Sequence, residues 1–135
     1  MDSTVPLIAV VDDEPPVRTM LGRVLRLADY RVAAFASGED FLASLTSATA
    51  EQPTCAILDI HMPGLSGFEV QARLRAARRR IPVVFITASD EASLERTALE
   101  ASGIRLLRKP FSSDDLLEAV GIAMAQGNDE QPPSP

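Results

Sequence analysis

The stretch CAILDIHMPG, residues 55–64, joins an apolar run to a carboxylate and then to a turn signal. The apolar residues predict a buried strand, and Pro63-Gly64 predicts a turn shortly after it. Asp59 lies at the boundary between the strand and the turn. A charge at the edge of an apolar core costs free energy unless a cation or hydrogen-bond donors compensate for it. The stretch therefore predicts a strand that ends in a functional acid.

Apolar runs of similar length recur along the chain, and together they predict five strands. The first, third and fourth runs are almost wholly apolar, which is typical of strands that are covered on both faces of a sheet. The second and fifth runs contain arginine, which favours an edge position. The predicted strands occupy residues 7–11, 31–35, 54–58, 82–86 and 104–107.

Helical patterns separate the predicted strands. In the first pattern, apolar residues recur at three- and four-residue spacings. Its two prolines fall in the first turn, where a missing N–H costs little. Serine residues are candidate N-caps for the other helices. The first helix is predicted over residues 15–28, the second opens at Ser37 with Asp40 in the capping-box position, and the third runs from Gly67 to about Ala77 after a Ser66 cap. The fourth starts at Ser89 or Asp90 and ends before Gly103, and the fifth starts at Ser112 or Ser113.

The alternation of strands and helices with short links predicts an α/β fold, in which helices cover both faces of a parallel sheet. In such sheets the ligand site lies beyond the carboxyl ends of the strands. Four of the predicted strands are followed by polar residues that suit a site, namely Asp12-Asp13, Asp59, Thr87 and Lys109. We therefore expect one site built from four strand ends, in which an ionised carboxylate binds a metal and attacks a phosphoryl group.

The chain has 135 residues, which fits one domain that buries a core without disulfides. We expect this domain over residues 1–127 and a disordered tail or linker over residues 128–135, whose composition cannot bury apolar surface. The single cysteine, Cys55, lies in an apolar run, which favours a buried, unreactive thiol in a reducing cytosol. No apolar stretch approaches the length of a membrane span, and no secretory signal is visible.

The charged residues restrict the classes of partner. A formal net charge of −6 argues against direct nucleic-acid binding by this domain, because phosphate binding needs a positive face. Lys109 is the only lysine among 13 lysine and arginine residues. A compact ammonium supplies a point charge that a planar guanidinium does not reproduce. Two interpretations of Lys109 stay open at this point: a site residue, or a surface lysine in a genome that prefers arginine.

Four short motifs, taken in order and at strand ends, carry a resemblance to a known family. Over residues 7–125 the chain resembles the response-regulator receiver domains of two-component signalling, in the CheY-like superfamily, and it is most similar to the FixJ-like subgroup. The resemblance implies a flavodoxin-like, doubly wound (βα)5 fold with five parallel strands in the order 2-1-3-4-5. The motifs are Val11-Asp12-Asp13-Glu14, the segment 58–64 followed by Gly67, Ile86-Thr87-Ala88 and Lys109-Pro110-Phe111.

The resemblance also implies a role for each residue of the site. Asp59 matches the phosphoacceptor, and a carboxylate is a recognised nucleophile for forming an acyl phosphate. Thr87 and Lys109 match the hydroxyl and the ammonium that receive the new phosphoryl oxygens. Because like charges repel, we expect the pKa of some carboxyl group of the site to rise without metal. The implied ligands of Mg²⁺ or Mn²⁺ are Asp12, Asp13, Asp59 and the backbone carbonyl of His61.

Several neighbouring positions are expected to modulate the site. In the family, the side chains two residues after the phosphoacceptor and after the threonine influence how fast water removes the phosphoryl group. These positions are His61 and Ser89 here. Ala88 is small and leaves a path to the nucleophile, and the peptide bond before Pro110 is expected to be cis. The family often carries an aromatic residue three positions before the lysine, where this chain has Leu106. We therefore expect a rearrangement of the fourth helix and its preceding loop, rather than an aromatic side chain, to report phosphorylation.

The implied function is a phosphorylation switch in the cytoplasm, which catalyses only its own phosphorylation and dephosphorylation. A sensor histidine kinase, or a small acyl phosphate, is the implied donor. The surface of the fourth helix, fifth strand and fifth helix is the expected output, through homodimerisation, a C-terminal DNA-binding output domain or a downstream protein. Two alternatives are an aspartyl-nucleophile phosphatase or phosphotransferase with an external substrate, and a binding module that no longer accepts phosphate. Haloacid-dehalogenase-type enzymes carry a second aspartate where this chain has His61.

Overall fold

Strands and helices alternate throughout the computed structural model, which describes residues 5–47, 50–91, 93–100 and 105–129. The strands pair in parallel as one five-stranded sheet in the order β2-β1-β3-β4-β5. The predicted α/β fold and its strand order are therefore confirmed. The strands are β1 (Leu7–Val11), β2 (Arg31–Phe35), β3 (Cys55–Asp59), β4 (Val83–Thr87) and β5 (Arg105–Arg108). The helices are α1 (Pro15–Leu27), α2 (Gly38–Ser44), α3 (Gly67–Ala76), α4 (Ser93–Glu100) and α5 (Ser113–Asp129).

Two apolar layers form the core, one on each face of the sheet, because successive strand residues point to opposite faces. On one face Leu58 and Phe85 pack with buried residues of α2, α3 and α4. On the other face Ile57 and Ile86 pack with buried residues of α1 and α5. Every residue of β3 and β4 is buried, as predicted from their continuous apolar runs. No helix within the described ranges has the length and hydropathy that a bilayer crossing requires.

The two central strands end one residue later than the apolar pattern predicted. β3 includes Asp59, which pairs with Ile86, and β4 includes Thr87, which pairs with Arg108. Sequence patterning stopped each strand at its last apolar residue, but the backbone hydrogen bonds of the sheet continue to the polar one. Asp59 and Thr87 are therefore held by strand backbone rather than by loops. The predicted first residue of β5, at position 104, lies outside the described residues.

Serine caps begin the second, third and fifth helices as predicted. The Ser37 hydroxyl accepts a hydrogen bond from the Asp40 N–H at 3.0 Å. The Ser112 hydroxyl accepts one from the Asp115 N–H at 3.0 Å. Ser66 forms a complete capping box with Glu69, whose carboxylate accepts the Ser66 N–H at 2.8 Å. The capping box fixes the start of α3 just after the loop that follows Asp59.

The first helix ends at Leu27, one residue before its predicted end, and the start of the fourth differs from the prediction by several residues. α4 begins at Ser93 rather than just after Ser89 or Asp90. In the intervening loop, side chains bond to backbone groups in a pattern that competes with helix formation. α5 continues to Asp129, which extends it into the first two residues of the segment that was expected to be a tail or linker. Gly103 and residues 130–135 lie outside the described residues, so the domain boundary at residue 127 stays a prediction.

Gly67 provides a test of how tightly α3 packs on β3. A Cβ at this position would lie 2.6 Å from the carbonyl oxygen of Asp59 and 3.1 Å from the Cα of Ile60, and backbone cannot yield cheaply. We expect Gly67→Ala to lower the free energy of unfolding by about 2–3 kcal/mol, the cost of overpacking. Gly121→Ala is the control, because its Cβ would meet no described atom within 4 Å and alanine favours helix. Urea denaturation that gave equal stabilities for the two variants would contradict this packing.

Candidate functional site

The carboxyl ends of four strands bring the predicted site residues together along one side of the sheet. Asp12 directly follows β1, Asp59 ends β3, Thr87 ends β4 and Lys109 directly follows β5. Parallel pairing places these ends side by side, in the crevice where α/β sheets bind ligands. The backbone N–H of Lys109 also donates to the Thr87 carbonyl at 2.7 Å. The convergence of four strand ends that was predicted from sequence is therefore present.

Three carboxylates converge on this side of the sheet. One oxygen from each of Asp12, Asp13 and Asp59 lies within 4.8 Å of the other two. Asp12 is fully buried and Asp59 is 4% exposed, so water screens their charges poorly. The Asp12 carboxylate also accepts the Glu14 N–H at 2.9 Å, which fixes its orientation at the start of α1. Such a cluster is costly unless a cation compensates for it.

Lys109 supplies a cation to this cluster. Its Nζ lies 3.0 Å from Asp12 Oδ2 and 3.7 Å from Asp59 Oδ2. It also donates to Glu14 Oε1 at 3.3 Å. Glu14 was not among the residues predicted for the site, although its position directly after the acidic pair was a signal for it. A single ammonium thus serves both the buried carboxylates and an exposed one, so Lys109 is not an isolated surface charge. Its role in the chemistry of the site stays a prediction.

Burial and charge perturb the ionisation of both central groups. The pKa of Asp59 is raised to about 7, and burial is the largest cause. The charges of Asp12 and Asp13 raise this pKa further, whereas the charge of Lys109 and a backbone hydrogen bond from His61 lower it. Burial by itself would lower the pKa of Lys109, but its hydrogen bonds to Asp12 and Glu14 and the charges of Asp59 and Asp12 raise that pKa overall. The pKa of Asp59 thus shifts in the direction expected for the metal-free site, although burial contributes more than the repulsion on which the expectation rested.

The cluster fits a hard divalent cation. Its ligands are carboxylate oxygens, which Mg²⁺ and Mn²⁺ prefer, and Mg²⁺ commonly uses only a few protein ligands while keeping several waters. The carboxylates of Asp12, Asp13, Asp59 and Glu14 outnumber the one ammonium of Lys109, which leaves negative charge for an ion to neutralise. The site can therefore hold a metal, with Asp12, Asp13 and Asp59 as its ligands. A contribution from the His61 carbonyl stays a prediction.

The positions that were expected to modulate the site surround it. His61 and Ala88 are exposed, and Ser89 is half-buried in the loop after β4. Leu106 is half-buried and packs against the core layer that contains α4. The Lys109–Pro110 peptide bond is cis, as expected. The effects of these residues on the lifetime of a phosphorylated state stay predictions.

Sequence analysis did not identify two arginines that lie near the site. Arg18 Nη1 donates to the backbone carbonyl of Asp12 at 2.8 Å and so ties α1 to the end of β1. Arg108 donates from both terminal nitrogens to carbonyls in the loop after β4, at 2.8 Å and 3.1 Å. Both interactions join residues on different elements, and no local pattern marks either arginine. Cys55, in contrast, is buried with its pKa raised to about 12 by burial, as expected for an unreactive thiol.

The raised pKa of Asp59 predicts a pH-dependent stability. In the unfolded chain this carboxyl ionises near its ordinary pKa of 3.8, whereas in the fold its pKa is about 7. As the pH rises between these values the unfolded state releases its proton first, so the free energy of unfolding should fall and then level off above about pH 7. Since an isosteric amide cannot ionise, Asp59→Asn should flatten this decline and add about 2 kcal/mol above neutral pH, an amount discounted for screening at the open edge.

Urea denaturation in metal-free buffer across this pH range measures the effect. Asp114→Asn is the control, because Asp114 is an exposed acid in the first turn of α5 and away from the carboxylate cluster. The control should keep the slope of the unmodified chain. An Asp59→Asn variant that declines as steeply as the control would show that Asp59 does not carry the pH dependence.

Comparison with known proteins gives consistent matches. A family model described as "Response regulator receiver domain" matches residues 8–121. The positive alginate biosynthesis regulatory protein of Pseudomonas aeruginosa is 40% identical over 116 residues, which cover 84% of this chain and 45% of that protein. The chain spans about half the length of the curated relatives it matches, and several of these are named as response regulators or transcriptional regulators.

Solved structures resemble the fold over most of its length. A response regulator receiver protein from Burkholderia phymatum is 39% identical with a TM-score of 0.80, covering 89% of this chain and 95% of that one. The structure described as FixJ-N is 28% identical with a TM-score of 0.79, covering 89% of this chain and 94% of that one. The sequence-based resemblance, including its likeness to FixJ, is therefore confirmed.

Proposed function

Since the chain belongs to the response-regulator receiver family, we propose that Asp59 accepts a phosphoryl group and that the domain acts as a phosphorylation switch. One observation carries the proposal. The Asp59 carboxylate lies 3.7 Å from the Lys109 ammonium and within 4.8 Å of the buried Asp12 and neighbouring Asp13 carboxylates. A nucleophilic oxygen, a fixed cation and a set of metal-binding oxygens thus occupy one crevice.

The proposed step is an in-line displacement at phosphorus. A carboxylate oxygen of Asp59 forms a bond to the phosphorus of a phosphohistidine or a small acyl phosphate. The bond from phosphorus to the donor's nitrogen or oxygen breaks, and its electron pair leaves with the donor. Asp59 must be ionised to attack, and the positive charge of Lys109 lowers its pKa against the effects of burial and of Asp12. Lys109 thus favours the nucleophilic form of Asp59.

The donors for the transferred oxygens come from the ends of β4 and β5. The Lys109 ammonium is positioned by Asp12 and Glu14, so it needs little reorganisation to pair with a phosphoryl oxygen. The Thr87 hydroxyl already accepts the Ser89 N–H at 3.0 Å, which leaves its own proton to donate. Phosphoryl transfer depends mainly on such positioned charges and donors rather than on covalent chemistry by the protein.

Asp12, Asp13, Asp59 and the carbonyl of His61 are the proposed holders of Mg²⁺, or of Mn²⁺. When bound, the ion supplies positive charge that offsets the carboxylates and the incoming phosphoryl oxygens. The buried Asp12 is anchored from both sides, because its carboxylate accepts from Glu14 and Lys109 while its carbonyl accepts from Arg18. Such support keeps the ligand oriented before the ion arrives.

We further propose that the phosphorylated domain changes its surface around α4, β5 and α5. A change of local charge can bias a two-state element in this way. The proposed partners are a sensor histidine kinase, a second copy of the chain, and a C-terminal DNA-binding output domain or another downstream protein in the cytoplasm. Residues 1–127 would form the receiver and residues 128–135 a tail or linker. The names and the greater lengths of the curated relatives support an output domain.

Mass spectrometry of the intact chain tests the proposal. Incubation with acetyl phosphate and Mg²⁺ should add one phosphoryl group, and Asp59→Asn should add none. Asp114→Asn, an exposed acid on α5, should be modified like the unmodified chain. Modification of Asp59→Asn would overturn the assignment of the nucleophile. Repeated turnover on a phosphate ester would instead support the phosphatase alternative.

A further inference from the structure

The guanidinium of Arg108 holds the loop that links β4 to α4. Its Nη1 donates to the Ser89 carbonyl at 2.8 Å, and its Nη2 donates to the Glu91 carbonyl at 3.1 Å. Arg108 is the last residue of β5 and pairs with Thr87 in the sheet. The side chain therefore joins the edge strand to the loop from a backbone position that is itself fixed.

Within this loop, hydrogen bonds run from Thr87 to the first turn of α4. The Ser89 N–H donates to the Thr87 hydroxyl at 3.0 Å, and the Glu91 N–H donates to the Ser89 hydroxyl at 3.2 Å. The Leu94 N–H, in α4, donates to the Glu91 carbonyl at 3.3 Å. Arg108 binds two carbonyls along this same path. A displacement of the Thr87 hydroxyl must therefore strain or break bonds that Arg108 stabilises.

We propose that Arg108 is a positioning residue that sets how readily Thr87 responds to a phosphoryl group on Asp59. The inference rests on the proposed function. Arg108 holds the loop in the arrangement of the unmodified protein, with Thr87 bonded to Ser89. We call the two hydrogen bonds from Arg108 to the Ser89 and Glu91 carbonyls the clamp. Release of the clamp frees the loop and the start of α4, so the clamp also links the site to the surface of α4 and β5.

Residue 106 cannot supply a hydrogen-bonded link to the threonine, whereas Arg108 can. Leu106 packs its apolar side chain against the core layer and has no polar group with which to follow the threonine. Arg108 lies two residues further along β5 and offers several N–H donors in a planar fork, which matches two carbonyls of one loop. In this chain the report of phosphorylation thus passes through hydrogen bonds to loop backbone.

The direction of the effect follows from which state the clamp stabilises. A ligand that favours the rearranged loop binds more tightly when the competing arrangement loses stability. Loss of two hydrogen bonds from a partly exposed guanidinium should therefore tighten the binding of a phosphoryl mimic by about three- to tenfold. Arg108→Lys keeps the charge but not the fork, so its effect should lie between those of Arg108→Ala and the unmodified chain.

The test measures beryllofluoride affinity by calorimetry at saturating Mg²⁺ for the full chain, Arg108→Ala and Arg108→Lys. Arg105→Ala is the matched control, because Arg105 is an exposed arginine on the same strand. Hydrogen exchange at the Ser89, Glu91 and Leu94 amides, measured without beryllofluoride, reports the clamp itself. We expect faster exchange and tighter binding for Arg108→Ala, and neither change for Arg105→Ala.

A double variant separates positioning from general loosening of the structure. In a Thr87→Ala background the hydroxyl that carries the coupling is absent, so adding Arg108→Ala should leave beryllofluoride affinity unchanged. Failure of the unmodified chain to bind beryllofluoride would overturn the proposed function. Binding by the unmodified chain with equal or weaker affinity in Arg108→Ala would overturn the role of Arg108 alone.

Discussion

Replacing Lys109 with alanine is expected to slow phosphorylation of Asp59 by acetyl phosphate by about 10²–10³-fold, the usual cost of removing a preorganised donor from a site of charge development. The ammonium contacts Asp12, Glu14 and Asp59 before any phosphoryl group arrives, so its position is set in advance. Two effects act together in the variant. The transferred oxygens lose a cation, and Asp59 loses a charge that lowers its pKa, which leaves less of the nucleophile ionised near neutral pH.

A time course of intact-protein mass measures the rate, and two controls sharpen the interpretation. Lys109→Arg keeps the charge but replaces a compact ammonium with a planar fork, so it should recover only part of the rate. Arg23→Ala removes an exposed arginine of α1 without touching the carboxylate cluster, and its rate should stay near that of the unmodified chain. A Lys109→Ala variant that is phosphorylated at the full rate would show that the ammonium serves only to stabilise the fold.

The strands, the helix caps and the meeting of the strand ends could be predicted from the sequence because local patterns determine them. β3 and β4 read as continuous apolar runs, and every residue of both strands is buried. Ser66 could be recognised as an N-cap from its place before an apolar helical pattern, and it caps α3. In an alternating α/β chain these local signals also fix where the strand ends meet, so the acids and Lys109 were placed correctly before their distances were known.

The parts that could not be predicted depend on contacts between distant segments. The Lys109 ammonium reaches Glu14 across 95 positions of the chain, and only the place of Glu14 directly after the acidic pair pointed to this contact. The Arg108 fork likewise defines a loop that sequence patterning assigned to a helix start. The ends of β3 and β4 were misplaced because the backbone pairing of the sheet overrides the polarity of its last side chains. Such interactions become visible only when the strand ends are assembled.

Removing a carboxylate of the cluster is expected to have opposite consequences with and without metal. In metal-free buffer Asp13→Asn relieves repulsion among oxygens that lie within 4.8 Å of one another, so the variant should be more stable than the unmodified chain. With Mg²⁺ the same change removes a charged ligand, and affinity should fall by about 30- to 300-fold because a unit charge a few ångströms from an ion is worth several kcal/mol. Saturating Mg²⁺ should therefore stabilise the unmodified chain strongly and the variant weakly.

Thermal unfolding with and without Mg²⁺, together with a calorimetric titration, distinguishes metal binding from simple charge relief. Asp40→Asn is the control, because Asp40 is an exposed acid in the first turn of α2 and lies outside the cluster. If the cluster binds no ion, Asp13→Asn should be more stable than the unmodified chain by the same amount at every Mg²⁺ concentration. A cluster that holds an ion reverses the order of stabilities as Mg²⁺ rises, since ion binding stabilises only the state that presents three converged oxygens. The crossing of the two stability curves is thus the decisive result, because charge relief alone cannot produce it.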